Sequence, residues 1–345
     1  MRKLASLQRI TEIKLIQDAD KIECAVVLGW NCVVKKGEFK VGDLIVYIEA
    51  DSMLPFNPWT GEDLTEKPLR LKTVRMKKQL SQGLVLSASI PKLANLTRVE
   101  DGLDITEVLG ITKYEPPPLG PALAGVARGN FPSFLIKTDE TRIQSCPGVL
   151  SRYPDDLFAL TEKIDGTSTT YYSHVVEGEE SPIFGACSRN LDLLPGESVQ
   201  WKVAEKSKIA EALAITREKW NSGVSVQGEL AGPNIQGNKL GLKEVEFFAF
   251  NLFDIKKREF IPHGPFMEWC SVHGIRHVPV LKENLRISEH TVESLVTLVT
   301  VKSQINPEVW IEGGVFRPLK EKYDPDLGRL SFKCINPEWL LKYNE

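Results

Sequence analysis

The four residues Lys163-Ile164-Asp165-Gly166 have the types and spacing of a nucleophilic site. They lie between two apolar, strand-like segments, residues 157–160 and 170–172. A lysine held at the end of a strand can act as a nucleophile when burial and nearby cations lower its pKa, and the α-phosphate of a nucleotide is a suitable target. On these residues alone, a surface hairpin with a solvated Lys163 and an Asp165-Gly166 turn is the simpler interpretation.

Charged residues also interrupt apolar segments elsewhere in the second half of the chain: Lys163, Glu229, Glu312 and Lys333. An unpaired charge in a buried strand costs free energy, although an antiparallel strand can direct it to solvent. Two acids and two lysines are more consistent with one polar cleft, in which carboxylates hold a divalent ion and lysines neutralise phosphates. The chain contains no G-x-x-x-x-G-K-[ST] sequence, so this nucleotide site would lack a Walker loop.

The elements that would position these residues follow a β-rich first hundred residues. Short strand-like segments separated by turn signals indicate a small OB-type barrel, which binds single strands or nucleic-acid backbones with one face. The segments are residues 4–16, 22–28, 31–34 and 44–48.

The densest basic run of the protein lies in this first part: Lys67, Arg70, Lys72, Arg75, Lys77 and Lys78. Such a run is either a solvated face or a patch that contacts phosphates, and its place on a small barrel favours the second interpretation. We therefore take the following as nucleic-acid-binding candidates: Lys72, Arg75, Lys77 and Lys78.

A proline-rich segment at residues 114–121 separates the barrel from the remaining chain. From residue 131, strand-like and helical patterns alternate without a regular βαβ repeat, and residues 199–220 indicate one or two amphipathic helices. The predicted fold is α+β with a mainly antiparallel sheet in the second domain. We predict a barrel at residues 1–110, a linker at 111–130 and a second domain at 131–345.

Composition restricts the class of protein. With 345 residues the chain can hold two domains, and its net charge of −3 provides no global basic field, so local clusters must bind any nucleic acid. The six cysteines never form a Cys-x-x-Cys pair, which is typical of reduced thiols in an intracellular protein. No secretory signal or membrane-spanning run is apparent, so we expect a cytoplasmic protein that does not bind membranes.

Taken in order, six short segments resemble the nucleotidyltransferase motifs of the covalent ligase superfamily. They are residues 162–166 (EKIDG), 188–190 (SRN), 228–230 (GEL), 248–250 (FAF), 312–314 (EGG) and 331–333 (SFK). Residues 137–144 (KTDETRIQ) and 227–241 (QGELAGPNIQGNKLG) are more similar to RNA ligases than to DNA ligases, and residues 19–55 resemble the OB domain of one RNA-ligase subgroup. The chain thus resembles an ATP-dependent, nick-sealing RNA ligase with an N-terminal OB domain.

The resemblance implies a three-step reaction. Lys163 attacks the α-phosphate of ATP and forms lysyl-AMP, AMP passes to a 5′-phosphate end, and a 3′-hydroxyl displaces it. The implied cofactors are ATP and Mg²⁺ or Mn²⁺, and the implied partner is RNA, as a nicked duplex or an RNA–DNA hybrid, bound by a monomer.

The same resemblance assigns roles to individual side chains. Glu162 contacts the adenine amino group, and Phe250 stacks on the base. Arg189 contacts phosphate or ribose, Lys333 contacts the α-phosphate, and Arg142 contacts the β- and γ-phosphates. Glu229 contacts the ribose or metal waters, and Glu312 contacts the metal.

Two features qualify the resemblance. Many family members have Lys-x-Lys at the last motif, whereas this chain has Ser331; either Lys320 or Lys322 supplies the charge, or the serine suffices. Only residues 334–345 follow Lys333, too few for the C-terminal OB domain of DNA ligases and capping enzymes.

The alternative from another class is an RNA-binding module without catalytic activity.

Overall fold

The computed structural model describes residues 3–50, 52–55, 69–77, 79–96, 98–114, 126–137, 139–175 and 181–343, with Arg75 described by its backbone alone. Two predicted basic residues, Lys67 and Lys78, lie outside the described residues. Most of the proline-rich segment also lies outside them.

The first part of the chain consists of short antiparallel strands and one helical turn. The elements are β1 (Ala5–Arg9), β2 (Glu12–Leu15), β3 (Ile22–Val27), β4 (Trp30–Lys35), β5 (Leu44–Ile48), β6 (Ser52–Leu54), β7 (Leu69–Arg70), β8 (Val74–Met76), β9 (Gln79–Ser81), β10 (Leu84–Ser87), α1 (Thr106–Leu109) and β11 (Thr112–Lys113). β5 pairs with β1 and β10, β3 with β2 and β4, β6 with β7 and β11, and β8 with β9.

The central strand β5 shows how this part is held together. Successive strand side chains point to opposite faces, so Val46 and Ile48 pack into one apolar cluster while Ile45 and Tyr47 pack into another. The second cluster includes Trp30, which is almost fully buried. Apolar packing on both faces of β5 makes it the central strand of the first part.

The second part contains two large sheets, one two-stranded ribbon and six α-helices within the described residues. Its strands are β12 (Ala127–Asn130), β13 (Thr141–Arg142), β14 (Leu157–Lys163), β15 (Thr167–His174), β16 (Ile183–Cys187), β17 (Leu191–Leu193), β18 (Val224–Ala231), β19 (Glu246–Asp254), β20 (Glu259–Phe260), β21 (Val280–Arg286), β22 (Gly313–Pro318), β23 (Tyr323–Asp324), β24 (Gly328–Arg329) and β25 (Phe332–Ile335). Its helices are α2 (Val149–Arg152), α3 (Val199–Lys206), α4 (Ile209–Trp220), α5 (His263–His273), α6 (Val292–Leu298) and α7 (Pro337–Tyr343).

One sheet has seven strands in the order β12-β17-β16-β15-β18-β19-β20, and the other has five in the order β13-β25-β22-β14-β21. All pairings in the two sheets are antiparallel except β13 with β25. The predicted α+β class with mainly antiparallel sheets is therefore confirmed. Residues 199–220 form two helices, because Lys208 between them adopts a left-handed backbone (φ 51°).

The segment around Lys163 differs from the simpler sequence interpretation. β14 belongs to the five-stranded sheet and β15 to the seven-stranded sheet, so residues 163–166 cross between sheets instead of closing a surface hairpin. A Cβ at Gly166 would lie 2.2 Å from the carbonyl oxygen of Leu230, which explains why this crossing requires glycine. The hairpin interpretation is wrong because the pairing partners of β14 are β21 and β22.

The predicted strand at residues 309–317 begins only at Gly313. Val309 and Trp310 instead pair locally, since the Ser303 amide donates to the Val309 carbonyl and Lys302 forms an isolated bridge with Trp310. Glu312 consequently lies just before β22. No helix of the described chain is long and apolar enough to cross a membrane.

Candidate active site

A cavity of about 280 Å³ is lined by both sheets of the second part. Strands β14, β22 and β25 contribute from the five-stranded sheet, and β15, β18 and β19 from the seven-stranded sheet. Six residues predicted from the sequence line it: Glu162, Lys163, Arg189, Glu229, Phe250 and Lys333. The expectation of one polar cleft lined by several strands therefore describes the structure, and the alternative of four unrelated outward-facing charges does not.

Lys163 ends β14 and contacts Glu312, with 2.6 Å between Nζ and Oε2. Burial lowers the pKa of Lys163, but the carboxylates of Glu312 and Glu229 outweigh it and raise the pKa above its ordinary value. The sequence interpretation, in which nearby cations lower this pKa, is wrong for this arrangement because acids surround the ammonium group. Lys163 must therefore lose a strongly held proton before it can act as a nucleophile.

Glu229 faces the same cavity from β18. Burial, together with the nearby carboxylates of Glu312, Asp165 and Glu140, raises the pKa of Glu229 to about 8, although Lys163 opposes this shift. A carboxylate whose pKa is raised by neighbouring acids in a polar cleft is suited to bind a divalent cation.

The donor set also fits a metal that is shared with a substrate. No three acidic, histidine or cysteine side chains in the described part of the chain converge closely enough to hold an ion by themselves. Mg²⁺ commonly binds through one or two carboxylates together with substrate phosphates. Glu229 and Glu312 can provide such a pair.

Lys333 lies on β25 and lines the same cavity. Burial, and then the charge of Lys163, lower the pKa of Lys333 to about 8. Its Nζ lies 3.5 Å from Oδ1 of Asp139, a cavity-lining acid that the sequence analysis did not select. Asp139 also pairs with Arg189 (3.6 Å) and with Lys113 of the first part (2.5 Å).

Two further cavity-lining residues were missed, Glu140 and Arg317. Arg317 Nη2 donates to Glu140 Oε1 over 2.5 Å, and its guanidinium group lies 5.4 Å from the Phe250 ring centroid. The register explains this position: Val315 pairs with Lys333, so Arg317, two residues further along β22, projects from the same face. Strand register is the signal that would have identified Arg317, and the isolated motifs do not contain it.

The structure also shows which cation lies near Ser331. Lys322 is 2.7 Å from Asp156, away from the cavity, and Lys320 is exposed and does not line it. The Ser331 hydroxyl lies 3.4 Å from Glu140 Oε1, the oxygen that also binds Arg317. The expectation that Lys320 or Lys322 supplies the charge is wrong, and Arg317 is the cation adjacent to Ser331.

Glu162, Phe250 and Val278 also line the cavity. Glu162 is only 2% exposed, and its carboxylate accepts hydrogen bonds from the Ser303 hydroxyl (2.6 Å) and the Gln304 amide (3.1 Å). These contacts fix Glu162 against the 303–304 segment.

Arg142 is not among the residues that line the cavity. It pairs with Lys333 in the β13–β25 register and is 7% exposed, and its guanidinium group lies 5.6 Å from the ring centroid of Trp30 in the first part. A hydrogen bond from the Ser145 hydroxyl to Glu49 also joins the two parts. Arg142 thus lies at the contact between the two parts.

The basic candidates of the first part lie on or near the β8–β9 ribbon. Lys72 and Lys77 are exposed, and Lys77 makes the turn with φ of 47°. The backbone of Arg75 pairs with Leu80, and Lys78 lies outside the described residues. None of these residues lines the cavity, so their assignment to nucleic acid remains a prediction.

Comparison with known proteins gives consistent matches in both parts of the chain. An RNA ligase family model matches residues 156–335, and an OB-fold domain model matches residues 4–88, which confirms the predicted N-terminal barrel. No curated protein sequence matches the chain.

Several solved structures of Naegleria gruberi RNA ligase are similar over nearly the full length. A lysine-to-alanine mutant with ATP and Mn is 35% identical, with 98% of each chain covered and a TM-score of 0.81. The protein with PPi is also 35% identical, covering 100% of this chain and 99% of that chain, with a TM-score of 0.81. A glutamate-to-alanine mutant with AMP and Mn is 34% identical, with 98% of each chain covered and a TM-score of 0.82.

Proposed function

The chain belongs to the RNA ligase family, and we propose that it joins 3′-hydroxyl and 5′-phosphate ends at nicks in duplex RNA or RNA–DNA hybrids, with ATP as the AMP donor. The observation that carries this proposal is the arrangement of Lys163, Glu229 and Lys333 around one cavity between two sheets, with Glu312 in contact with Lys163. The Naegleria gruberi RNA ligase structures with ATP or AMP and Mn support ATP and Mg²⁺ or Mn²⁺ as the cofactors.

In the first step, Lys163 Nζ attacks the α-phosphorus of ATP. A nitrogen–phosphorus bond forms, the bond from that phosphorus to the oxygen bridging to the β-phosphate breaks, and pyrophosphate leaves with the bonding electrons. The proton that Lys163 loses passes to Glu312, to which its ammonium group is hydrogen-bonded in the structure, and from there to solvent. A divalent cation held by Glu229 and Glu312 would supply positive charge to the phosphates.

The remaining cavity residues bind and orient the nucleotide. Lys333 contacts the α-phosphate, Arg189 contacts phosphate or ribose, and Phe250 stacks on the adenine that Glu162 recognises. This distribution fits the cavity lining, in which Lys333 and Arg189 lie near Asp139 while Phe250 and Val278 supply apolar side chains. For the β- and γ-phosphates we propose Arg142, which must turn from Trp30 to reach them.

In the later steps, AMP passes from Lys163 to the 5′-phosphate of RNA, and the 3′-hydroxyl attacks that phosphate and releases AMP. We propose that the barrel holds the duplex through the β8–β9 ribbon while residues 131–345 perform the chemistry, with residues 1–110 as the OB domain and 111–130 as the linker. The contact of Trp30 in the barrel with Arg142, and that of Lys113 at the start of the linker with the cavity-lining Asp139, support an active role of the barrel.

The first test is the intact mass of the purified protein after incubation with ATP and Mg²⁺ or Mn²⁺. We expect one acid-labile AMP adduct on the wild type and none on Lys163→Ala. Lys219→Ala is the matched control, because Lys219 is an exposed lysine on α4, and it should retain the adduct. No adduct with any nucleoside triphosphate would favour an RNA-binding module, and an adduct with GTP alone would indicate capping chemistry.

The second test distinguishes among acceptors. Nicked duplex RNA, a nicked RNA–DNA hybrid, nicked duplex DNA and single-stranded RNA are each offered to the preformed lysyl-AMP protein, and sealed product is measured. We expect sealing of the two nicks that carry an RNA 3′-hydroxyl. Equal sealing of single-stranded RNA would contradict nick specificity while leaving the ligase assignment intact.

A further inference from the structure

Residues 232–242, which form most of the connection between β18 and β19 and are called the 232–242 loop, have an unusually constrained backbone. Asn234, Gln236, Gly237 and Asn238 all have positive φ values, of 66°, 45°, 70° and 48°. The Asn238 side chain bridges the loop by donating to the Leu242 carbonyl (2.9 Å) and accepting from its amide (3.0 Å). Three non-glycine residues in this region cost free energy and persist only where surrounding contacts hold them, a pattern that is frequent at functional sites.

The 232–242 loop is anchored to the residues that follow the nucleophile. Lys239 Nζ lies 2.8 Å from Asp165 Oδ2, and both side chains are mostly buried, at 14% and 16% exposed. The next loop residue, Leu240, packs in the same apolar cluster as Ile164. Two consecutive loop residues therefore hold the two consecutive residues after Lys163.

Lys239 also contacts the last helix described in the chain. Its Nζ lies 4.3 Å from the Trp339 ring centroid and 4.9 Å from the Tyr343 ring centroid, both on α7. A lysine ammonium over aromatic faces is attracted by their quadrupoles, more strongly when it is shielded from water. α7 directly follows β25, the strand that carries Lys333.

We propose that Lys239 is a positioning residue for lysine adenylylation, which clamps Asp165, and with it the 163–166 turn, to α7. Lys239 itself does not line the nucleotide cavity, although Gln236 of the same loop does. The clamp joins the turn that follows Lys163 to α7, the helix that follows Lys333. It therefore fixes the position of Lys163 relative to Lys333. This inference rests on the proposed adenylylation chemistry.

The primary experiment compares Lys239→Met with Lys239→Arg in single-turnover formation of lysyl-AMP. Lys239→Met should slow this step on the order of 10- to 100-fold at saturating ATP, since small displacements of reacting groups have effects of this size. The apparent affinity for ATP should stay unchanged, because the residue lies outside the cavity. Lys239→Arg keeps a cation between Asp165 and the aromatic rings and should restore most of the rate.

Lys243→Met is the matched control, since Lys243 is an exposed lysine four positions further along the chain. It should adenylylate at the wild-type rate. A rate for Lys239→Met equal to that of this control would overturn the proposal, as would a loss confined to ATP affinity.

A double-mutant cycle with Asp165→Asn separates the clamp from a general structural effect. If Lys239 acts through Asp165, Lys239→Met should add little further slowing to an Asp165→Asn protein, because the partner is already altered. Independent, multiplicative losses would contradict the clamp. If Lys239→Met does not fold, Tyr343→Leu serves instead, because it removes one aromatic ring from the clamp. It should slow lysyl-AMP formation to a smaller extent. An unchanged rate would count against the proposal.

Hydrogen exchange tests the clamp without relying on activity. Amides of residues 338–343 should exchange faster in both Asp165→Asn and Lys239→Met than in the wild type or in Lys243→Met, because each change releases α7 from the turn. Unchanged exchange would refute the clamp. A wild type that forms no lysyl-AMP but shows this exchange pattern would refute the proposed function and leave the clamp in place.

Discussion

Glu229→Gln is expected to stabilise the protein at alkaline pH when neither ATP nor a divalent cation is present. The pKa of Glu229 is raised from 4.5 to about 8, so the folded state binds a proton there that the unfolded state has already released. Between these two values the folded state binds more protons, and its stability falls as the pH rises. Glutamine has the same shape and never ionises, so it removes this loss.

The size of this stabilisation follows from the pKa shift of Glu229. A difference of roughly 3.5 pKa units corresponds to at most about 5 kcal/mol, at about 1.4 kcal/mol per unit. Water at the cavity mouth and the opposing charge of Lys163 reduce this, and we expect about 1–3 kcal/mol above pH 8. Below pH 4.5 the carboxyl group is protonated in both states, so the two proteins should be nearly equal in stability.

Urea denaturation of wild type and Glu229→Gln at pH 5.5, 7 and 8.5 measures this difference as an increasing shift in midpoint. Glu205→Gln is the control, since Glu205 is an exposed acid on α3 and should show no pH-dependent shift. Adding Mn²⁺ should stabilise the wild type more than Glu229→Gln, because only the wild type keeps both carboxylates. If Glu229→Gln is less stable than wild type at pH 8.5, Glu229 is ionised and stabilised by Lys163, and the reasoning fails.

Three other changes test separate parts of the structure. Because the pKa of Lys333 is lowered to about 8, its charge is lost above that pH, so the adenylylation rate of Lys333→Arg relative to wild type should rise between pH 7 and 9. Charge reversal at Arg75 and Lys77 should leave lysyl-AMP formation intact and weaken nick sealing, with a smaller salt dependence of RNA binding; blocked lysyl-AMP formation would contradict this division of labour. Gly166→Ala places a Cβ against the Leu230 carbonyl and should lower the free energy of unfolding by about 1–3 kcal/mol, measured by urea denaturation, and slow adenylylation.

The local parts of this structure could be predicted from the sequence because their signals are local. Strand β5 was predicted with its observed bounds. Five of the six motifs contribute side chains that line one cavity, and the sixth supplies Glu312, which contacts Lys163. Lys163 was identified at the end of its strand because an apolar segment stops there and Asp165-Gly166 follows.

What could not be predicted depends on register and on contacts between distant segments. Arg317 lies beside Ser331 only because Val315 pairs with Lys333, and no short motif encodes that pairing. Lys113 reaches Asp139 from the other part of the chain. The direction of the Lys163 pKa shift was missed for the same reason, since it depends on how close Glu312 and Glu229 come.

The strand pairing of β14 determines when, during synthesis, the residues that line the cavity can come together. All seven strands of the larger sheet lie within residues 127–260, so that sheet can assemble early during synthesis. The strand that carries the nucleophile instead pairs with β21 and β22, which leave the ribosome more than a hundred residues later, and β13 waits for β25. A nascent chain therefore holds an exposed β14 edge until β22 emerges, and Lys333 joins the cavity only once β25 has been made.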